Sequence, residues 1–127
     1  MQTRQKSIPL TLTCLLFFAT SGWAGFEESH AAYTKGEYTV AFNGYLEAAN
    51  SGDSRAYGKV AALYLYGRGT NKDYIQAYIW FGIAKESKDK YAARFQDAAA
   101  SMLTMKQIDK AEAELAKKRE KLSIKPE

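Results

Sequence analysis

Few side chains in this sequence could carry out chemistry. Its 127 residues include one His and one Cys. His30 stands near Glu27 and Glu28, but a zinc ion needs three or four converging ligands, so this group falls short of a metal centre. Cys14 has no second Cys with which to form a disulfide or a Cys-rich zinc site. We therefore expect no bound metal and a solvated surface position for His30.

The usual motifs of enzymes and of nucleic-acid-binding proteins are also missing. Gly67 and Gly69 are separated by one residue, but the next predicted helix begins several residues later, so the pair predicts a turn and not a phosphate-binding loop. No nucleophile elbow is present. The basic run at 117–119 is diluted by Glu114 and Glu120, and no aromatic residues interleave with it as nucleic-acid stacking would need. We expect no enzymatic activity, no cofactor and no nucleic-acid partner.

Residues 1–24 have the layout of a secretory signal peptide. Arg4 and Lys6 precede an apolar run at 8–20, and small residues come before the cut, which we place after Ala24. A membrane anchor is the alternative, but the run is shorter than the ~20 apolar residues of a spanning helix. We expect export across the inner membrane into a bacterial periplasm and no membrane span after cleavage. The exported part has no Cys, so its stability must come from packing.

The rest of the chain repeats with a period of 36 residues. Residue type is kept at seven pairs of positions, namely Ala41/Ala77, Phe42/Tyr78, Tyr45/Phe81, Ala48/Ala84, Ser51/Ser87, Asp53/Asp89 and Ala56/Ala92. Within each copy the apolar residues recur at i, i+3, i+4 and i+7, which is typical of one buried face of a helix. The pattern predicts an all-α chain built from repeated units.

Six helices are predicted, and their bounds follow from glycines and capping residues. The segments are about 26–34, 37–51, 54–66, 73–87, 89–102 and 105–121, followed by a disordered tail at 122–127. Asp73 with Gln76 and Thr104 with Gln107 have the spacing of capping boxes. Short connections predict antiparallel neighbours. A single helix pair cannot bury both of its faces, so the pairs must stack.

Residues 56–88 resemble the Sel-one-like repeat (SLR), a relative of the tetratricopeptide repeat. The matching positions are Ala56, Val60, Ala61, Tyr64, Gly67, Gly69, Asp73, Ala77, Trp80 and Ala84. Thr70, Lys85 and Lys88 depart from the pattern. The unit that begins at Ala92 lacks its Tyr and glycines, and 105–121 resembles a polar closing helix. The resemblance implies a short right-handed α-solenoid over residues 25–121, with about two repeats and a C-terminal capping helix.

Arrays of this kind bind ligands through side chains that the scaffold leaves exposed, above all on the first helix of each pair. In the helix at 54–66 and the loop after it, the predicted protein-binding residues are Arg55, Lys59, Ala62, Tyr66 and Arg68. We expect a non-enzymatic exported scaffold that binds a protein or peptide. The alternatives are an ordinary solvated face, a homodimer, and a cell-wall enzyme or peptidoglycan/β-lactam binder, activities to which some members of the family have been linked. Those members are disulfide-rich, which weighs against the last alternative.

Overall fold

The computed structural model describes residues 21–124, with side chains from residue 25 onward. Within this range the chain is helical and contains no strand, with α1 at Ser21–Thr34, α2 at Tyr38–Asn50, α3 at Ser54–Tyr66, α4 at Tyr74–Glu86, α5 at Ala92–Ala100 and α6 at Met105–Lys121. The all-α prediction is confirmed. Residues 1–20, which hold most of the predicted signal peptide, lie outside the described residues. None of the helices in the described part combines the length and the apolar character that a membrane span requires.

The 36-residue period appears as repeated environments. Ala41 and Ala77 are both fully buried, at 0% exposure, one turn into α2 and α4. The turns that follow these helices also match. The Asp53 N–H donates to the Ala48 carbonyl at 3.0 Å, and the Asp89 N–H donates to the Ala84 carbonyl at 3.1 Å. The two units therefore repeat in backbone hydrogen bonding as well as in sequence.

The loop between α3 and α4 lies directly on the start of α2. Gly67 ends α3 in the left-handed conformation, with φ +63°. Gly69 also has a positive φ, +71°, and a Cβ there would overlap the carbonyl oxygen of Tyr38 and lie 2.9 Å from the backbone nitrogen of Thr39. The second glycine of the motif is thus needed for the close approach of one unit to the next as well as for its φ.

Helix α4 lies at the centre of the molecule and packs against α3, α5 and α6. Eight of its residues are buried, from Ala77 to Ala84 without a gap. Trp80 is 1% exposed, and its ring stacks on Tyr57 of α3 at a centroid distance of 5.9 Å. Because α4 is apolar on all sides, it needs neighbours on every side, and the three helices around it supply them.

Helices α5 and α6 differ from the sequence prediction. Helix α5 is shorter than the predicted 89–102, because the Asp89 carboxylate accepts the N–H of Tyr91 at 2.9 Å in a turn that precedes the helix. Helix α6 packs against α4 and only slightly against α5, so these consecutive helices do not form the close antiparallel pair that the short connection predicts. Helix α6 is therefore a cap on α4, and α5 is left at the edge of the array.

The cap is held by polar contacts as well as by Ala111 and Leu115. The Arg119 guanidinium forms a bidentate ion pair with Glu86, with Nε to Oε2 at 2.8 Å. The Tyr78 hydroxyl donates to Glu112. The capping box predicted at the start of the helix is present in full. Leu122 and Ile124, which belong to the predicted tail at 122–127, pack against the core, and residues 125–127 lie outside the described residues.

Candidate functional site

An open groove runs between α3 and α5, and we call it the α3–α5 groove. Its volume is about 220 Å³. It is lined by Arg55, Gly58, Lys59, Ala62 and Tyr66 of α3, by Phe81 of α4, and by Asp89, Tyr91, Ala92 and Phe95 at the start of α5. Small-molecule sites usually enclose about 300–1,000 Å³. The groove is therefore smaller than a typical cofactor site and has the size of one or two side chains.

One face of α3 forms the first wall of the groove. Arg55, Lys59, Ala62 and Tyr66 are spaced at i, i+4, i+7 and i+11, so they share one side of the helix. The side of α3 turned away from the groove carries Tyr57, Val60 and Ala61, which are buried in the core. Burial of these core residues fixes the rotation of α3 about its axis. The face that carries Arg55, Lys59, Ala62 and Tyr66 is therefore directed into the groove.

The floor and the second wall of the groove are aromatic. The rings of Phe81 and Phe95 stack with centroids 5.5 Å apart and an interplanar angle of 17°. Tyr91 at the start of α5 is 59% exposed, and Tyr66 at the end of α3 is 56% exposed. Two largely exposed tyrosines therefore border an apolar floor, an arrangement typical of a recognition surface.

The charge on Arg55 is compensated inside the protein. Its guanidinium donates to both carboxylate oxygens of Asp53, at 3.0 and 2.8 Å, and to Glu27 at 3.2 Å. It also lies 4.3 Å above the ring of Phe26. The hydrogen bonds from Arg55 hold the pKa of the Asp53 carboxyl below its ordinary value. Arg55 therefore joins the first helix pair to the second and closes one end of the groove.

Lys59 and Asp89 are the two other charged residues of the groove. No hydrogen bond or ion pair joins the Lys59 ammonium to another residue in the described part of the chain, and its side chain is exposed. Asp89 lies beside Gly58, where a Cβ would come within 2.7 Å of the Asp89 Oδ2. The Asp89 carboxylate therefore occupies the space that a side chain at position 58 would fill.

Four of the five predicted binding residues line the groove, and Arg68 does not. The Arg68 guanidinium donates to the Tyr33 hydroxyl at 3.0 Å and lies 5.5 Å from the ring centre of Tyr38. It also lies 5.9 Å from the ring centre of Tyr66. Arg68 thus lies outside the groove and contacts the ring of Tyr66, which borders it.

The sequence prediction missed the second wall. The predicted binding residues do not include Tyr91 and Phe95, since the third unit lacks the Tyr and glycines of the repeat. The period of 36 residues nevertheless maps Arg55 onto Tyr91 and Lys59 onto Phe95. Equivalent positions on stacked first helices lie side by side, so the period itself could have identified both residues.

The described residues contain no group of three or more His, Cys, Asp or Glu side chains placed to hold a metal ion. His30 is exposed, as the sequence predicts, and its Nδ1 lies 3.2 Å from the hydroxyl oxygen of Tyr45. Its ring also stacks parallel to Phe26 at a centroid distance of 6.3 Å. The contacts of His30 are therefore those of a residue that packs α1 onto α2.

The sequence matches no protein-family model and no curated protein. Among solved structures it is similar to the crystal structure of c5321, a protective antigen present in uropathogenic Escherichia coli strains that displays an SLR fold. The TM-score is 0.71 and the sequence identity 26%, over 80% of this chain and 23% of that one. The chain thus spans less than a quarter of that protein's length.

The helix order, the repeated environments and this likeness together define a class, the all-α solenoids made of stacked helix pairs. Within that class, the fold of this chain is that of the Sel-one-like repeat. The Gly69 loop on α2, the paired alanines and the polar capping helix are the features of the chain that build it.

Proposed function

We propose that this chain is a non-enzymatic exported scaffold that binds a segment of another protein in the α3–α5 groove. The observation that carries the proposal is the groove itself, an apolar recess of about 220 Å³ bordered by Tyr66 and Tyr91, both more than half exposed. Large rings exposed to solvent beside an apolar floor favour binding, because covering them with a partner removes apolar surface from water and lowers the free energy. Tyr and Arg are also enriched among the residues that dominate binding energies at protein interfaces.

The residues that line the groove support a binding role better than a catalytic one. Nucleophilic catalysis by Ser, Thr or Cys requires one of these residues beside a base, and none of the ten lining residues is Ser, Thr, Cys or His. The two charged groups that remain, Lys59 and Asp89, are both exposed. An enzyme that uses such groups as acid and base usually buries them in order to shift their pKa values.

Export to the periplasm rests on the first 24 residues and needs its own test. We expect mass spectrometry of the protein recovered from the periplasm of expressing cells to show an N-terminus at Gly25. A chain that stays in the cytoplasm with its first 24 residues intact would contradict export and would leave the groove proposal standing.

Binding in the groove can be tested by site-specific crosslinking in cells. A photo-reactive amino acid at position 62 should crosslink to a discrete partner, while the same group at Ala113, exposed on α6, should not. The partner identified by mass spectrometry should then bind the purified chain and lose that binding when Ala62→Trp fills the groove. Equal crosslinking from both positions would contradict the proposal, and so would undiminished binding to the Ala62→Trp variant.

A further inference from the structure

The α3–α5 groove contains a recess that one side chain of a partner could fill. Small residues help to make the recess, because Ala62 of α3 and Ala92 of α5 both line it beside the half-buried Phe95 ring, which stacks on Phe81. An apolar cavity of roughly 150 Å³ is enough to hold a benzene molecule. The whole groove measures about 220 Å³, so the recess within it can take one aromatic or large aliphatic side chain, with little room for a second.

Next to the recess lies Lys59, a cation to which the described part of the chain offers no hydrogen-bond or ion-pair partner. Lys59 lies one turn before Ala62 on the same face of α3, and residues at this spacing have Cβ atoms about 5–6 Å apart. Arg55 already shares its charge with Asp53 and Glu27. No ion pair joins Lys59 to Asp89, which is the one carboxylate among the residues that line the groove. Asp89 already accepts the Tyr91 N–H at 2.9 Å, whereas the described residues give Lys59 no hydrogen-bond or ion-pair partner. Lys59 is therefore the lining charge that a ligand is best placed to pair with.

The spacing of Lys59 and Ala62 on α3, with Cβ atoms about 5–6 Å apart, is compatible with the geometry of an extended peptide. In a strand, side chains of residues i and i+2 point to the same side and lie about 6.6 Å apart, from a rise of about 3.3 Å per residue. This is close to the separation of Lys59 and Ala62 along α3. A peptide that places one side chain in the recess can therefore bring the side chain two residues away to the Lys59 ammonium.

We propose, on the basis of the function proposed above, that the partner presents an extended segment in which an acidic residue lies two positions from an aromatic or large aliphatic anchor. The anchor fills the recess between Ala62 and Ala92, and its carboxylate neighbour pairs with Lys59. Tyr66 and Tyr91 flank the bound segment and exclude water from the ion pair. The opposite pattern, a basic residue two positions from the anchor, is rejected by the charge of Lys59.

A random peptide library displayed on phage, selected on the whole folded chain, tests this pattern directly. We expect the enriched peptides to share an aromatic or large aliphatic residue with Asp or Glu two positions away. Synthetic copies of the enriched peptides, measured by fluorescence polarisation, should lose about tenfold or more in affinity on Ala62→Trp. Ala62→Leu fills less of the recess and replaces Ala62→Trp in this measurement if the Trp variant does not fold.

Reversing the charge of Lys59 measures the contribution of the ion pair to binding separately from that of the anchor residue. Lys59→Glu should weaken the acidic peptides about fivefold or more, and a peptide with Lys in place of the acidic residue should regain affinity on this variant. Lys117→Glu reverses an exposed charge on α6, away from the groove, and should change neither affinity.

The outcomes distinguish this inference from the proposed function. Enriched peptides that share an anchor and have no acidic preference, or that bind Lys59→Glu undiminished, would overturn the inference and leave groove binding intact. A library without any peptide sensitive to Ala62→Trp would overturn both. If sedimentation shows that the native chain is a dimer and that the Ala62→Trp variant is a monomer, a second copy of the chain fills the groove. This result would also overturn the inference.

Discussion

Replacing Gly69 with Ala tests whether the α3–α4 loop holds neighbouring units together. The variant carries two penalties. A non-glycine residue at φ +71° costs about 1–2 kcal/mol. The added Cβ also overlaps the Tyr38 carbonyl oxygen, and because both groups belong to the backbone, the loop must lift away from α2. Such overpacking costs about 1–3 kcal/mol, so the total loss is about 2–5 kcal/mol.

Gly36→Ala provides the matched control. Gly36 has a similar φ of +78°, but a Cβ there meets nothing within 4 Å. Both variants lose the same flexibility of the unfolded chain, so that contribution cancels in the comparison. The difference between the two free energies of unfolding therefore isolates the contact between the loop and α2, at about 1–3 kcal/mol.

Urea and thermal unfolding followed by circular dichroism would measure these values. For a domain of about 100 residues, a loss of 2 kcal/mol lowers the Tm by roughly 8 °C or more. If Gly69→Ala were no less stable than Gly36→Ala, the close approach of the loop to α2 would be wrong, and with it our account of the second glycine of the motif.

Three further predictions concern capping and titration. Thr104→Ala removes the capping box of α6 and should cost about 1 kcal/mol in urea unfolding, whereas Thr104→Ser should cost much less. Hydrogen bonds from Arg55 lower the pKa of Asp53, so the stability they provide is present above the unfolded pKa near 3.9 and is lost as the pH falls through the lower folded pKa. Asp53→Asn should therefore be less stable than the native chain at neutral pH and equally stable in strong acid, and a pH-independent difference would contradict this. Burial, followed by the hydrogen bond to Glu112, raises the pKa of Tyr78 to about 12, so the contribution of Tyr78 is complete below pH 10 and is lost towards pH 12. Phenolate absorbance during alkaline titration should accordingly show one late-titrating tyrosine fewer in Tyr78→Phe.

Most of the helical framework could be predicted because its determinants are local. Gly67 ends α3, and the Thr104–Gln107 pair begins α6, with no help from distant residues. The docking of α6 could not be predicted. Its buried residues, Ala111 and Leu115, form a stripe so narrow that it does not specify which neighbour it will meet. The position of α6 is decided by partners on α4, such as Glu86 for Arg119, which are distant in sequence.

The candidate site was predictable on one side only. The spacing of Lys59, Ala62 and Tyr66 defines the exposed face of α3, because the core residues between them define the buried one. The second wall depends on how α5 stacks beside α3, which is a tertiary relation. The pair of rings at Phe81 and Phe95 is also tertiary, since these residues come from different helices.

The slight packing of α6 on α5 has a consequence for the range of ligands that this protein can accept. Helix α5 buries only Ala92 and Ala99 completely, and within the described residues α6 adds little packing to it. Segments with little buried surface separate from a protein at a free energy well below that of global unfolding. We therefore expect the two sides of the groove to differ in stiffness, because α3 packs against both α2 and α4 while α5 packs mainly against α4. A bulkier guest would widen the cleft by moving α5, and amide exchange in α5 would slow once that guest is bound.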